Sequence, residues 1–201
     1  MSTSDAPATD AAWDHTECPG TVGCPPRCPR FLDRAGAALT IRPVEAAAGD
    51  YAALRSFYED YPHRHRSMSL PPLATAQLDA WLERLLERGR NIVAYDGDRL
   101  VGHVAYSPRD GTESELVVFV DEDYHDRGIG TELCRQAVAY AAADGHEAMV
   151  LHVGLHNDRA QHVYGHLGFR SVERNDDNVK MRLEIDAALA ADLQAPPAER
   201  C

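Results

Sequence analysis

The sequence predicts an α/β fold of about seven strands and about four helices, and two observations predict it. Short apolar runs alternate with segments of helical period in the order strand, two helices, three strands, helix, strand, helix, two strands. Within that order, the strand-like run ELVVFV enters a glycine-bearing turn, DEDYHDRGIGT, and then a long amphipathic segment, ELCRQAVAYAAADG.

Taken from the start, residues 1–37 are rich in Ala, Pro, Asp and Cys without sustained periodicity, so a poorly ordered extension is expected there. A domain over residues 38–186 follows, and residues 187–201 read as a C-terminal tail, a frayed helix ending in Pro196-Pro197. A body of about 150 residues buries roughly 70% of its unfolded surface, enough for one core without a partner. Ala38 to Val44 reads as the first strand, and Ala46 to Tyr61 as a helix with Leu54, Phe57 and Tyr58 inward, stopped at Pro62. Thr75 to Glu87 carries Leu78, Trp81, Leu82 and Leu85 at core spacing, with Thr75 as its cap and Gly89 as its stop. Asn91 to Tyr95 and Leu100 to Ser107 form a hairpin through Asp96-Gly97-Asp98.

Glu113 to Val120 is the central strand, Gly130 to Ala143 the long helix, and Ala148 to Val153 the next strand. A turn at His156-Asn157-Asp158 opens a short helix that places Ala160, Val163, Tyr164 and Leu167 on one face and ends at Gly168. Phe169 to Glu173 and Lys180 to Ile185 are the last strands, joined through Asn175-Asp176-Asp177-Asn178.

The turn between the central strand and the long helix is built to hold phosphate. Gly128 and Gly130 allow a tight backbone path, and the helix that starts there directs its unpaired amides and positive dipole end at the same point. Two other glycine-loop chemistries fail on spacing. A Walker loop ends in Gly-Lys-Ser/Thr, whereas Gly130 precedes Thr131 and Glu132 and the only lysine is Lys180. A dinucleotide fingerprint needs a small residue where Leu133 stands.

With both segments in view, residues from about Leu39 to Ile185 resemble the GNAT N-acetyltransferase superfamily. The family's pyrophosphate motif is matched by His125-Asp126-Arg127-Gly128-Ile129-Gly130, with His125 replacing the usual glutamine or arginine. The series Asn157, Ala160, Tyr164, Gly168, Phe169 matches its second coenzyme-contacting segment at every spacing. The resemblance implies a mixed, mostly antiparallel twisted sheet, splayed where acetyl-CoA enters. It implies main-chain contacts from Arg127 to Thr131 to the diphosphate, with charge from Arg127. Contacts from Val118, Phe119 and Val120 would meet the pantetheine arm and the thioester oxygen.

Acetyl transfer to an amine needs a base, donors for the developing oxyanion and a proton for the departing thiolate. Tyr164 matches the family's general acid; its alternative is a core tyrosine with a satisfied hydroxyl. Glu115 matches a strand glutamate that some members use as base, on a cleft that would raise its pKa, and Glu113 shares its face; the alternative is a solvated strand start. Asn157 either contacts pantetheine or caps its helix. His63-Arg64-His65-Arg66 lies in a region that lines the family's acceptor site, where arginine forks would hold a carboxylate, or is a plain exposed loop. His162 and His166 have the spacing of a metal pair but lack a zincin glutamate, which favours a solvated face.

His15, Cys18, Cys24 and Cys28 could supply a three-thiolate, one-imidazole zinc site, though the spacing is not a recognised one; free thiols in a disordered segment, a disulfide or a redox role compete. Cys134 reads as a small core residue and Cys201 as an exposed tail. A net charge of -12 argues against nucleic acid and anionic membranes, and nineteen arginines beside one lysine suit a salt-adapted, acidic surface. The N-terminal residues show neither a basic start nor an apolar run, and no stretch approaches the ~20 apolar residues of a membrane span, so a cytoplasmic monomer or homodimer is expected. Its partner would be a small-molecule or protein amine. A non-catalytic acyl-CoA-sensing module is the rival reading.

Overall fold

The computed structural model describes residues 15–45, 49–62 and 70–200. Eight strands form one sheet in the order β1-β2-β3-β4-β5-β6-β8-β7, one strand more than the periodicity predicts. They are β1 (Arg30–Leu32), β2 (Ala38–Pro43), β3 (Arg90–Asp96), β4 (Arg99–Ser107), β5 (Glu113–Val120), β6 (Ala148–Gly154), β7 (Arg170–Arg174) and β8 (Asn178–Glu184). All neighbours pair antiparallel except β5 and β6. That exception follows from connectivity: a helix of fifteen residues, α3 (Ile129–Ala143), carries the chain from the end of β5 back to the start of β6.

The two faces of the sheet are covered by different helices because each strand alternates its side chains. On β5, Leu116, Val118 and Val120 join the cluster around α3, which includes Leu133, Cys134, Ala137, Val138, Met149, Leu151 and Phe169. Val117 and Phe119 turn to the other face and meet α1 (Asp50–Glu59) and α2 (Thr75–Arg88) through Leu54, Tyr58, Tyr61, Leu78 and Leu82. Phe119 is ringed there by edge-on Tyr58, Tyr61 and Trp81 at centroid distances of 5.3, 5.5 and 6.2 Å.

This second face contains a buried polar chain. Asn91 Nδ2 donates to the Leu85 and Gly89 carbonyls at 2.8 and 3.2 Å, so its Oδ1 is left to accept from His103 Nε2 at 3.1 Å. His103 Nδ1 then accepts from the Tyr58 hydroxyl at 2.5 Å. Complete burial keeps this imidazole neutral and pulls its pKa down to about 3.

Three local expectations are corrected. Residues 30–32 are not irregular: they add β1 to the edge of β2, with Phe31 opposite Leu39. Arg27 is buried in a bidentate pair with Glu132 of α3 at 2.6 and 3.0 Å, and Gln136 donates to the Cys28 carbonyl. The C-terminal stretch is likewise docked, since α5 (Ala187–Gln194) buries Leu193 and Gln194 donates to the Ala139 carbonyl of α3. Thr75 is the first residue of α2 rather than its cap; Ala74 holds the capping position without a side-chain bond, and the helix ends at Gly89 as expected. His63 and Arg64, with the rest of residues 63–69, lie outside the described residues.

Candidate active site

β5 and β6 are paired at only three rungs, Glu113 to Ala148, Ser114 to Met149 and Glu115 to Val150. Beyond Glu115 the ladder stops, although β5 runs on to Val120 and β6 to Gly154. β5 keeps its full register with β4 over the same stretch, Ser107 to Glu115 through Gly102 to Val120. The sheet therefore opens on one side of Leu116 to Val120, where an extended arm can pair with strand backbone.

At the mouth of this opening sits the glycine turn. A 3-10 turn over residues 122–124 follows β5, capped by Asp121, and the chain reverses through Asp126 and Gly128, both at positive φ, 62° and 89°. Gly128 holds the N-cap position of α3 with no side-chain cap. The first helical bond runs from Glu132 N to the Gly128 carbonyl, so the amides of Ile129, Gly130 and Thr131 have no partner among the described residues. Ile129 itself anchors the turn in the core. Such a set of converging amides at a positive helix end fits a diphosphate.

The side chains of the motif do a different job. His125 Nε2 donates to the Val120 carbonyl at 3.0 Å, and its Nδ1 accepts from Arg159 Nη1 at 3.3 Å. Arg159 also pairs with Asp126 at 3.2 Å, so the start of α4 (Asp158–His166) is tied to the turn. Arg127, expected to add charge to the cradle, lies over the Tyr124 ring at 4.4 Å, donates to the Asp123 carbonyl and faces Asp33 Oδ2 at 3.7 Å. Asn157 caps α4, its Oδ1 accepting from Ala160 N at 3.1 Å.

Tyr164 is half-buried on α4, packed edge-on to Phe169 at 5.9 Å. Desolvation raises its phenol pKa well above the ordinary value, with Cys134 and Tyr61 adding in the same direction. Cys134 belongs to the α3 cluster and Tyr61 to the α1–α2 cluster. The hydroxyl is protonated at neutral pH. Among the described residues it has no hydrogen-bond partner.

Glu115 does not sit in a partly buried cleft. Its side chain is 53% exposed and accepts from His152 Nδ1 of β6 at 3.0 Å. Glu113 is paired with Arg182 of β8, which also holds Glu184. Glu115 and Val117 share their face with Phe119, the face of α1 and α2. A cleft of about 460 Å³ on that side is lined by Phe57, Asp60, Tyr61, Asp98, Asp121 and Glu122 among others. A larger depression, about 890 Å³, lies at the other end of the sheet around Pro108 and Asp144, away from the turn. Asp144 there is engaged by Arg90 and Tyr106, so that depression presents satisfied groups.

Cys18 and Cys24 are exposed, Cys28 is partly buried, and among the described residues no group of three or more His, Cys, Asp or Glu side chains is placed to hold a metal ion. His162 and His166 are exposed, and His166 Nδ1 donates to the His162 carbonyl. No helix among the described residues is long and apolar enough to cross a membrane. Sequence reasoning missed His152, Arg159 and the ordered strap of residues 30–37; the first two are single polar residues whose partners lie more than thirty positions away.

An open sheet edge with an uncapped glycine turn beside it is a site that fits a diphosphate carrying an extended arm. The chain belongs to the acetyltransferase (GNAT) family, whose model matches residues 51–169. It is 43% identical over 56 residues to the uncharacterized N-acetyltransferase MJ1207 of Methanocaldococcus jannaschii, a match covering 28% of this chain. The matches span only about a quarter of the curated relatives' own length, 25% and 28%. The fold is shared with the GNAT domain of S. lividans PAT, at a TM-score of 0.67, 20% identity and coverage of 77% of this chain and 95% of that one. It is shared too with yncA of Salmonella typhimurium, solved with its cofactor acetyl-CoA, at a TM-score of 0.61, 19% identity and coverage of 74% and 95%. Acetyl-CoA is the acyl donor of this family.

Proposed function

We propose that the protein transfers an acetyl group from acetyl-CoA directly to a primary amine within a ternary complex. The observation that carries this reading is the coincidence of the β5–β6 opening with the unpartnered amides of Ile129, Gly130 and Thr131. When bound, acetyl-CoA supplies the activated thioester. The turn and the first amides of α3 hold its diphosphate, and the exposed β5 edge from Leu116 to Val120 orients the pantetheine arm. Tyr164, kept protonated by burial, is the donor for the leaving thiolate. Glu115, backed by His152, removes the proton of the acceptor amine, directly or through water. The cleft beside α1 is lined by Asp60, Asp98, Asp121, Glu122 and Asp123 as well as Arg99, which pairs with Asp121 and Asp123, and this acidic excess supports an acceptor that arrives as a cation, whether a small amine or an exposed protein amine.

The test is thiol release from acetyl-CoA against a panel of amines. Turnover with a cationic amine, at least tenfold slower in Tyr164→Phe, supports transfer. Tight coenzyme binding with no turnover on any acceptor would favour the non-catalytic acyl-CoA sensor instead.

A further inference from the structure

The motif arginine is engaged within the protein. Arg127 faces Asp33 at 3.7 Å and lies over the Tyr124 ring, and Arg159 is paired with Asp126, so both arginines at the turn share their charge with carboxylates of the protein. A guanidinium without such a partner among the described residues comes from outside the family-matched segment. The turn between β1 and β2 is fixed by Asp33, whose Oδ1 accepts from the amides of Ala35 and Ala37 at 2.8 Å each and whose amide donates to the Ala37 carbonyl. At its tip, Arg34 N donates to the Arg127 carbonyl at 3.0 Å, which docks this turn onto the glycine turn. The Arg34 side chain then lies along Gly128, its Nε 3.8 Å from where a Cβ would stand. It is exposed and has neither ion pair nor hydrogen bond to its guanidinium among the described residues.

Two positive features, an unpaired guanidinium and an uncapped helix start, are thus set side by side. Their mutual repulsion is relieved when an anion lies between them. We infer that Arg34, from the N-terminal strap, is a ligand of the coenzyme diphosphate and replaces the charge that Arg127 spends on Asp33. The inference rests on the proposed acetyl-CoA reading. It also assigns residues 30–37, outside the matched 51–169, to the coenzyme site. Arginine suits this place because its planar fork reaches two phosphate oxygens at once.

The experiment is calorimetric titration of the full chain with CoA and with 3′-dephospho-CoA. Arg34→Ala should weaken both by about tenfold at low salt and make the affinity less sensitive to added salt. Arg34→Lys should recover part of the loss. Arg84→Ala, which removes an equally exposed charge on α2, should change nothing. Thermal melting should be unaltered in Arg34→Ala, because its main-chain bond to Arg127 remains. Equal affinities for wild type and Arg34→Ala would overturn the inference, and so would a loss that disappears with 3′-dephospho-CoA, which would place the contact on the 3′-phosphate. Failure of the wild type to bind CoA at all would instead remove the acetyl-CoA reading on which this rests.

Discussion

The carboxylate of Glu115, in the last rung that joins β5 to β6, accepts a hydrogen bond at 3.0 Å from Nδ1 of His152, which lies beyond that rung. The pair thus bridges two strands where their backbones have ceased to. If the two act as one proton relay, Glu115→Gln and His152→Gln should each lower kcat/KM by about tenfold or more, and the double variant should lose little beyond the single ones. Losses that multiply in the double variant would show two independent roles.

Tyr164→Phe keeps the ring packing against Phe169 and removes only the donor. Turnover should fall at least tenfold, about 1.4 kcal/mol of barrier, with acetyl-CoA affinity nearly unchanged. Equal rates would take the hydroxyl out of the mechanism.

Acid stability should be governed by two buried groups. His103 has a folded pKa of about 3, below its unfolded value near 6.5, so between these limits the unfolded chain binds the extra proton. Its contribution is complete above pH 6.5 and is lost on acidification, at up to about 1.4 kcal/mol per pH unit. Asp50 is desolvated, which would raise its pKa, but Arg42, the Glu45 amide and the Tyr95 hydroxyl outweigh this and hold it at about 2. Its contribution is complete above about pH 3.8 and is lost as the pH falls from there to about 2. Chemical denaturation across pH 4–7 should give a flatter stability profile for His103→Gln than for the wild type.

Glu132→Ala leaves the Arg27 guanidinium buried at 6% exposure without its carboxylate. Loss of one partner of such a pair costs about 3–5 kcal/mol. Residues 15–37 and α5 should loosen together, because Arg27 also donates to the Leu193 carbonyl. Hydrogen exchange that rises in only one of the two segments would contradict this coupling.

What could be read from the sequence was whatever repeats at short range. The bounds of β5, Glu113 and Val120, were legible because apolar residues end abruptly at acidic ones, and α3 because Gly128 and Gly130 mark the start of a helical period. The helix that carries Tyr164, with Asn157 before it, was legible from its turn signal and apolar spacing. β1 was not, since Arg-Phe-Leu is too short to alternate. Arg27 with Glu132 and Glu115 with His152 are 105 and 37 positions apart, contacts that no local pattern encodes. The contact of Arg127 with Asp33 was illegible for the same reason, because Asp33 comes from the segment expected to be irregular.

The central claim is that the amides after Gly128 hold the coenzyme, and Gly130 offers the sharpest probe of it. A Cβ there meets only Val120 Cγ2 at 3.5 Å, an ordinary contact, and an acidic residue in the first turn of a helix is compatible with its dipole. Calorimetric titration with acetyl-CoA should therefore show one-to-one, salt-sensitive binding to the wild type and loss of binding by at least a hundredfold in Gly130→Asp, with melting temperature maintained. No heat of binding to the wild type, or undiminished affinity in Gly130→Asp, would contradict the account.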